Sequence, residues 1–368
     1  MRAPMLKPIV IAAGGTGGHM FPAEALADAL MTRGERVVLM TDARSGASDS
    51  PVFAACERHI VEGAGLAGRG PARMASGMLQ LARGTRVARR ILAGLDAAAL
   101  VGFGGYPSVP PVLATLGLRD RPVVILHDQN AVLGRANRLL ARFADRLAVS
   151  FATTATIPRK IKTTLTGNPV RPSVTALAGA FYAAPEQKIR LLVLGGSLGA
   201  RIFATLIPAS LALLPEELRR RIELVMQCPE GEIDAARQVL NGSGIVHEVA
   251  PFFSDVAERI AAAHLVIARA GGSTVAELAV IGRPAIFIPL AINDDQRHNA
   301  DALARTGGAI RLDQAAATPA ILARAIETLL DEPDRLVAMA EASAKAGIAD
   351  AAMRLADLVQ ACIAERVS

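Results

Sequence analysis

Apolar positions in this chain fall in short unbroken runs rather than in alternation. PIVIAA (8–13), RVVLMT (36–41), AAALVGF (97–103), PVVILH (122–127) and DRLAVS (145–150) are such runs in the first half. KIRLLVLG (188–195), RIELVMQ (221–227), HLVIAR (264–269) and PAIFIPL (284–290) follow in the second. A strand with one wet face alternates, whereas a strand covered on both faces of a parallel sheet is apolar throughout. Helical stretches separate the runs, so the pattern predicts a doubly wound α/β fold.

The chain nearly repeats itself. IVIAAGGTGGH (9–19) and LLVLGGSLGAR (191–201) are both strand, Gly-Gly, hydroxyl residue, any residue, Gly, helix. The repeat predicts two Rossmann-like domains, 1–165 and 166–349, each opening with its own anion loop. Their strand ends are expected to face each other across a cleft. Residues 165–187, with Pro169, Pro172 and Pro185, read as the linker region. A length of 368 residues, 52% of them hydrophobic, suits two cores better than one.

Four Gly-rich segments follow apolar runs: GGTGG (14–18), GFGGYPS (102–108), GGSLGA (195–200) and AGGST (270–274). Each would expose backbone N–H groups at a helix N-terminus, where the helix dipole favours an anion. A tight turn is the plain reading of one such loop, and diphosphate binding the reading of all four together. GGTGGH lacks the lysine of a P-loop and is not a clean GxGxxG. Thr41-Asp42 comes late for the acidic residue of a dinucleotide domain, which leaves an NAD domain as the weaker reading.

Cys56, Cys228 and Cys362 are widely spaced and form no CxxC pair, which argues against a disulfide scaffold or zinc cluster. The N-terminal apolar stretch is short and runs straight into the glycine loop, so it reads as the first strand. No apolar run has the length needed to span a bilayer. The net charge of +6 is uneven: residues 1–165 hold 21 Lys and Arg against 11 Asp and Glu. A basic first half calls for an anionic partner. Nucleic acid is disfavoured, because aromatic stacking positions and recognised binding motifs are missing.

The stretch 69–95 carries six arginines, among them Arg73, Arg83, Arg86, Arg89 and Arg90, and no acidic residue. Met78 and Leu79 are interspersed with them. Two readings stand: an amphipathic segment lying on an anionic membrane surface, or a helix burying its apolar stripe with arginines on the wet face. In the second half, Glu277 follows the AGGST loop by a few residues. It could accept hydrogen bonds from a ribose diol, or sit on a solvated helical face. Asp294, Asp295, Gln296 and Asn299 follow a strand end and suit sugar hydroxyls, or an N-cap and exposed turn.

In order along the chain, GGTGGHMFP, GFGGYPSVPP, HDQNAVLGRANRLLA, TGNPVR, GGSLGA and RAGGSTVAELAVIGRPAIFIPL closely resemble the bacterial N-acetylglucosaminyltransferases of peptidoglycan synthesis. The resemblance spans about residues 10 to 305. It implies a GT-B glycosyltransferase fold whose C-terminal helix, about 350–368, packs back on the first domain. It implies GlcNAc transfer from UDP-GlcNAc to the C4 hydroxyl of MurNAc in undecaprenyl-diphosphate-MurNAc-pentapeptide. Other UDP-sugar transferases and UDP-GlcNAc 2-epimerases are the alternative. It further implies a peripheral enzyme on the cytoplasmic face of the inner membrane, working with the cell-wall synthesis machinery and without a cofactor.

Carried over motif by motif, the donor contacts are Thr16, Gly17 and Gly18 at the sugar interface, Asn130 on the GlcNAc, and Arg171 and Ser197 on the nucleotide and diphosphate. Phe253 marks where backbone reads uracil. Gly272, Ser273 and Thr274 form the diphosphate loop, Glu277 holds the ribose and Gln296 reads the sugar. Gly14, Gly15, His19, Gly104, Gly105 and Tyr106 are the expected cradle for the acceptor diphosphate. Leu198 stands where relatives have Gln, HDQN replaces HEQN, and Asp295 replaces a second Gln. The chemistry implied is an inverting displacement without metal, since Asp294 and Asp295 are adjacent rather than spaced. His19 is the candidate base, its ordinary pKa lying near neutral; the other reading is that it only positions a phosphate or caps its helix.

Overall fold

A computed structural model describes residues 7–15, 17–43, 50–61, 71–196, 200–292 and 294–367. The chain forms two compact units: Met1–Arg171 with Asp350–Ser368, and Pro172–Ala349. Thr166 to Arg171, expected in the second domain, belong with the first. The reason is local pairing: the Thr166 and Gly167 N–H groups both donate to the Val149 carbonyl (3.1 and 3.3 Å).

Among the described residues, the first unit holds seven parallel strands: β1 Ile9–Ala12, β2 Val37–Thr41, β3 Glu57–Ile60, β4 Ala99–Gly102, β5 Val123–Asp128, β6 Arg146–Val149 and β7 Thr163–Leu165, in the order β3-β2-β1-β4-β5-β6-β7. Strands β1, β2, β4 and β5 are buried along their whole length, as their unbroken apolar runs require. One face is covered by the Gly17–Thr32 helix and the C-terminal Ala351–Val367 helix, with Leu26, Leu30, Leu355 and Val359 at the contact. The Pro71–Leu95 and Val109–Thr115 helices cover the other, through Ala88, Leu92 and Val112. Arg33 ties the C-terminal helix down at its rim, donating to Gln360 Oε1 at 2.8 Å and pairing with Asp357 at 2.7 Å.

The second unit, among its described residues, holds six parallel strands: β8 Ile189–Leu194, β9 Ile222–Gln227, β10 Val246–Ala250, β11 Leu265–Ala268, β12 Ala285–Phe287 and β13 Ala309–Arg311, in the order β10-β9-β8-β11-β12-β13. Its core centres on Phe203, Ile207, Leu224, Ile267 and Ile326. The linker stretch is pinned to this unit by Arg283, whose side chain is 2% exposed. Its guanidinium donates to the carbonyls of Ala180, Phe181, Ala261, Ile281 and Gly282, and lies over the Tyr182 ring at 5.5 Å.

Each sheet has one point where the strand order reverses: between β1 and β4, and between β8 and β11. Connections leaving such neighbouring strands run to opposite faces and open a crevice at their C-terminal ends. The four glycine segments follow β1, β4, β8 and β11. The topology therefore sets them in pairs, one pair at each switch point.

Candidate active site

At the first switch point the turns after β1 and β4 pack together. A side chain at Gly14 would place its Cβ 2.9 Å from Pro107 Cγ and 3.1 Å from Asp42 Oδ1, so only glycine fits there. Gly15 adopts φ +86°, and its N–H donates to Asp42 Oδ1 at 3.4 Å. Gly104 and Gly105 follow β4 with φ +80° and +66°, conformations that favour glycine. The Ser108 hydroxyl donates across to the carbonyls of Ala12 and Gly104 (2.9 and 2.8 Å), tying the two turns together. Tyr106 stands exposed beside them.

The turn after β5 is organised by Asp128. Its Oδ1 accepts from the Asn130 N–H at 3.0 Å; its Oδ2 accepts from the Gly134 N–H at 2.8 Å and from Asn137 Nδ2 at 3.0 Å. Asn137 Nδ2 also donates to the His127 carbonyl at 2.9 Å. The shorter acid in HDQN thus works as a loop organiser that sets where Asn130 stands. His127 is buried, with Nε2 3.1 Å from the Gly167 carbonyl and its ring 5.1 Å from that of Phe103. Burial pushes its pKa down to about 4, against a smaller opposite effect of the Gly167 carbonyl.

His19 sits in the first turn of the Gly17–Thr32 helix, near Gly105. Burial lowers its pKa below the ordinary imidazole value, opposed in part by a hydrogen bond to the Phe103 carbonyl. Its Nδ1 lies 3.3 Å from Gln129 Nε2. Gly14, Gly15, His19, Gly104 and Gly105 are thus brought together, with Asn130 next in sequence to Gln129. Arg171 joins the same region: its guanidinium lies 4.9 Å over the ring of Phe21, two residues after His19. Thr16 lies outside the described residues.

In the second unit, β11 runs into the Gly272–Ile281 helix, which begins at the AGGST loop. An α-helix offers no internal acceptors to the N–H groups of its first turn, so Gly272, Ser273 and Thr274 present donors and the positive end of a dipole. Two side chains brace the approach to this turn. Arg269 donates to the Ile288 carbonyl at 2.8 Å, and Asn299 Nδ2 to the Ala270 carbonyl at 3.1 Å. Glu277 is only 7% exposed, so it is not on a solvated helical face. Gln296 Oε1 accepts from the Leu290 N–H at 2.9 Å and shapes the turn after β12. Phe253 is buried beneath the Arg259 guanidinium, 4.2 Å away. After β8, the Gly195 N–H donates to Gln227 Oε1 at 3.2 Å and Gly196 takes φ +80°. Ser197 and Leu198 lie outside the described residues.

The expected donor contacts therefore divide. Gly17, Gly18, Asn130 and Arg171 stand in the first unit; Phe253, Gly272, Ser273, Thr274, Glu277 and Gln296 stand in the second. Asp42, Ser108, His127, Gln129 and Asn137 carry the geometry of the first switch point; all but Asp42 lie inside the quoted motifs, yet sequence reasoning gave none of the five a place in the site. Only the Asp-x-Asn spacing at 128–130 offered a signal, as a side chain capping the N–H two residues on.

Residues 9–149 match the glycosyltransferase family 28 N-terminal domain, and residues 190–355 the glycosyltransferase family 28 C-terminal domain. Over 367 residues, 100% of both chains, the chain is 68% identical to the UDP-N-acetylglucosamine--N-acetylmuramyl-(pentapeptide) pyrophosphoryl-undecaprenol N-acetylglucosamine transferase of Acidiphilium cryptum (strain JF-5). The transferase of the same name from Granulibacter bethesdensis is 54% identical over 96% of this chain and 93% of its own. A crystal structure of Acinetobacter baumannii MurG superposes with a TM-score of 0.77 at 28% identity, covering 96% of this chain and 99% of that one. Two parallel α/β units with a matching family 28 domain in each, and full-length identity at this level, make the chain a member of glycosyltransferase family 28, in its peptidoglycan N-acetylglucosaminyltransferase branch.

Proposed function

We infer that this chain moves GlcNAc from UDP-GlcNAc to the C4 hydroxyl of MurNAc in undecaprenyl-diphosphate-MurNAc-pentapeptide. The observation that carries this is the 68% identity, over both whole chains, with a transferase whose name states that sugar and that lipid-linked acceptor.

In this reading the second unit holds the donor. The first turn of the Gly272–Ile281 helix takes the diphosphate and Glu277 the ribose. The acceptor hydroxyl attacks the anomeric carbon opposite the UDP, so configuration inverts. Negative charge gathers on the leaving diphosphate, where preset N–H donors stabilise it without reorganising. In the first unit, the turns after β1 and β4 cradle the acceptor diphosphate, with Gly14, Gly15, Gly104, Gly105 and Tyr106. His19 takes the hydroxyl proton. What supports this role is burial, which keeps the ring in the neutral form a base needs.

The acceptor's polyprenyl tail requires work at a bilayer. Among the described residues, no helix is long and apolar enough to cross one. The Pro71–Leu95 helix supplies a peripheral contact instead: Ala88 and Leu92 are buried in the domain, while Met74, Met78, Leu79 and Val87 stay exposed beside Arg83, Arg86, Arg89 and Arg90. Arg73 belongs to the same helix. This contact would lie on the cytoplasmic face of the inner membrane.

Release of UDP from UDP-GlcNAc, measured with and without a short-chain analogue of the lipid-linked acceptor, tests the function. Acceptor-dependent release with a disaccharide product is the expected result. Acceptor-independent formation of UDP-ManNAc would identify a 2-epimerase instead.

A further inference from the structure

We infer that Phe21 is a positioning residue for Arg171: its ring holds the guanidinium over its face, so that the donor diphosphate meets an arginine already in place. The inference rests on Arg171 being a contact of the donor nucleotide and diphosphate.

Folding alone does not call for a ring at this position. Met20 and Ala23, its neighbours on the Gly17–Thr32 helix, are buried in the core of the first unit. Phe21 is 36% exposed. Side chains on a helix lean back toward its N-terminus, so a residue covers the one four positions earlier. Phe21 accordingly lies over Gly17: a Cβ there would stand 3.0 Å from Phe21 Cε2 and 3.3 Å from Cζ. Gly17 is helical and is not among the glycines of positive φ, so its backbone conformation does not demand glycine. The bare first turn is what gives the ring its seat.

Arg171 reaches that ring from another element. The Thr166 and Gly167 N–H groups are pinned to the Val149 carbonyl and Val170 is buried, which holds the main chain leading to Arg171. Its side chain is long and rich in rotamers, yet the guanidinium lies 4.9 Å over the Phe21 ring. A cation at that distance is drawn to an aromatic face. The guanidinium is planar, and its five N–H donors lie in the plane. A ring on its face therefore does not compete with a phosphate at its edge, where bidentate hydrogen bonds form. An arginine whose rotamer is set beforehand does not lose that freedom when the ligand binds. A leucine at position 21 would still cover Gly17, but it has no π-face to offer the cation.

Calorimetric titration of UDP into the full-length protein tests this as a double-mutant cycle. Arg171→Ala should itself weaken UDP by about tenfold. Phe21→Leu should weaken it by about three- to tenfold, while Phe21→Tyr, which keeps the aromatic face, should stay within about twofold of wild type. In the Arg171→Ala background, Phe21→Leu should change UDP affinity by less than about 1.5-fold, because the group it positions is gone. An unchanged UDP affinity in Phe21→Leu overturns the inference. So does an equal loss from Phe21→Leu in both backgrounds, which would mean that the ring supports the glycine turn and not Arg171. Melting temperatures establish that the variants fold, and should Phe21→Leu fail to, Phe21→Met takes its place in the cycle. Arg171→Ala with wild-type UDP affinity would remove Arg171 from the donor and overturn the inference with it. GlcNAc transfer would still be decided separately, by the acceptor-dependent release of UDP.

Discussion

Two buried titratable side chains on strand-end elements give opposite kinds of prediction. Glu277 lies one turn into the Gly272–Ile281 helix and is buried, though an acid at this position on a surface helix would point to water. A role on the donor ribose makes Glu277→Ala a binding defect: KM for UDP-GlcNAc should rise by about 10- to 100-fold, for charged hydrogen bonds of roughly 1.5–3 kcal/mol. Initial-rate kinetics at saturating acceptor measure it, and an unchanged KM would remove Glu277 from the donor site. His127 predicts a stability effect instead. Its ring titrates near 6.5 when unfolded and at about 4 when folded. Between those values the unfolded chain binds a proton that the folded chain does not, so stability held above pH 6.5 drains away as pH falls toward 4. The loss should reach about 3 kcal/mol at most. Urea unfolding across that range should show the decline, and His127→Gln should flatten it. An equal pH slope in both proteins would contradict the assignment.

The elements show which parts of the fold were legible in the sequence. Every strand expected from an unbroken apolar run is present, and all of these are strands flanked on both sides. The strands that went unread, β3, β7, β10 and β13, are the four sheet edges. Edge strands are not covered on both faces: Glu57, Arg58 and Ile60 in β3, Thr163 and Leu165 in β7, and Val246 and Glu248 in β10 are exposed, so no apolar run marks them. The glycine turns were legible for a similar reason, since positive φ and close approach leave glycine as their signature. Gln129 and Ser108 were not, because their partners lie up to 110 residues away and only the folded topology joins them. The Ala351–Val367 helix shows what such long-range packing is worth. Leu355 is completely buried in the first unit's core, so Leu355→Ala should cost about 2–5 kcal/mol. The rim pair of Arg33 and Asp357, the acid largely exposed, should contribute less than about 1 kcal/mol. Chemical denaturation of both variants gives the comparison, and a Leu355→Ala loss no larger than the Asp357→Ala loss would mean the helix docks through its rim.

At the scale of the whole molecule, charge separates the two halves more sharply than fold does. The two units repeat one architecture, yet the first carries the chain's positive excess, and arginine-rich residues 69–95 hold no compensating acid. Folding alone does not require this. The Pro71–Leu95 helix buries only a narrow stripe around Gly77, Gly84, Ala88 and Leu92, leaving Met78 62% exposed and the arginines in solvent. Each such arginine near an anionic surface is worth about 1 kcal/mol, so replacing Arg83, Arg86, Arg89 and Arg90 by alanine should weaken binding to phosphatidylglycerol-containing vesicles by about a hundredfold or more at low salt. Physiological salt screens charges over about 8 Å, so the wild-type affinity should itself fall as salt is raised while the variant's changes little. Vesicle sedimentation over a salt series reads both effects, with neutral phosphatidylcholine vesicles giving the apolar contribution of Met74, Met78 and Leu79. All four arginines are exposed, so the melting temperature should stay where it was. Equal binding of the two proteins to anionic vesicles would take the membrane contact away from this helix and leave its arginines as an ordinary wet face.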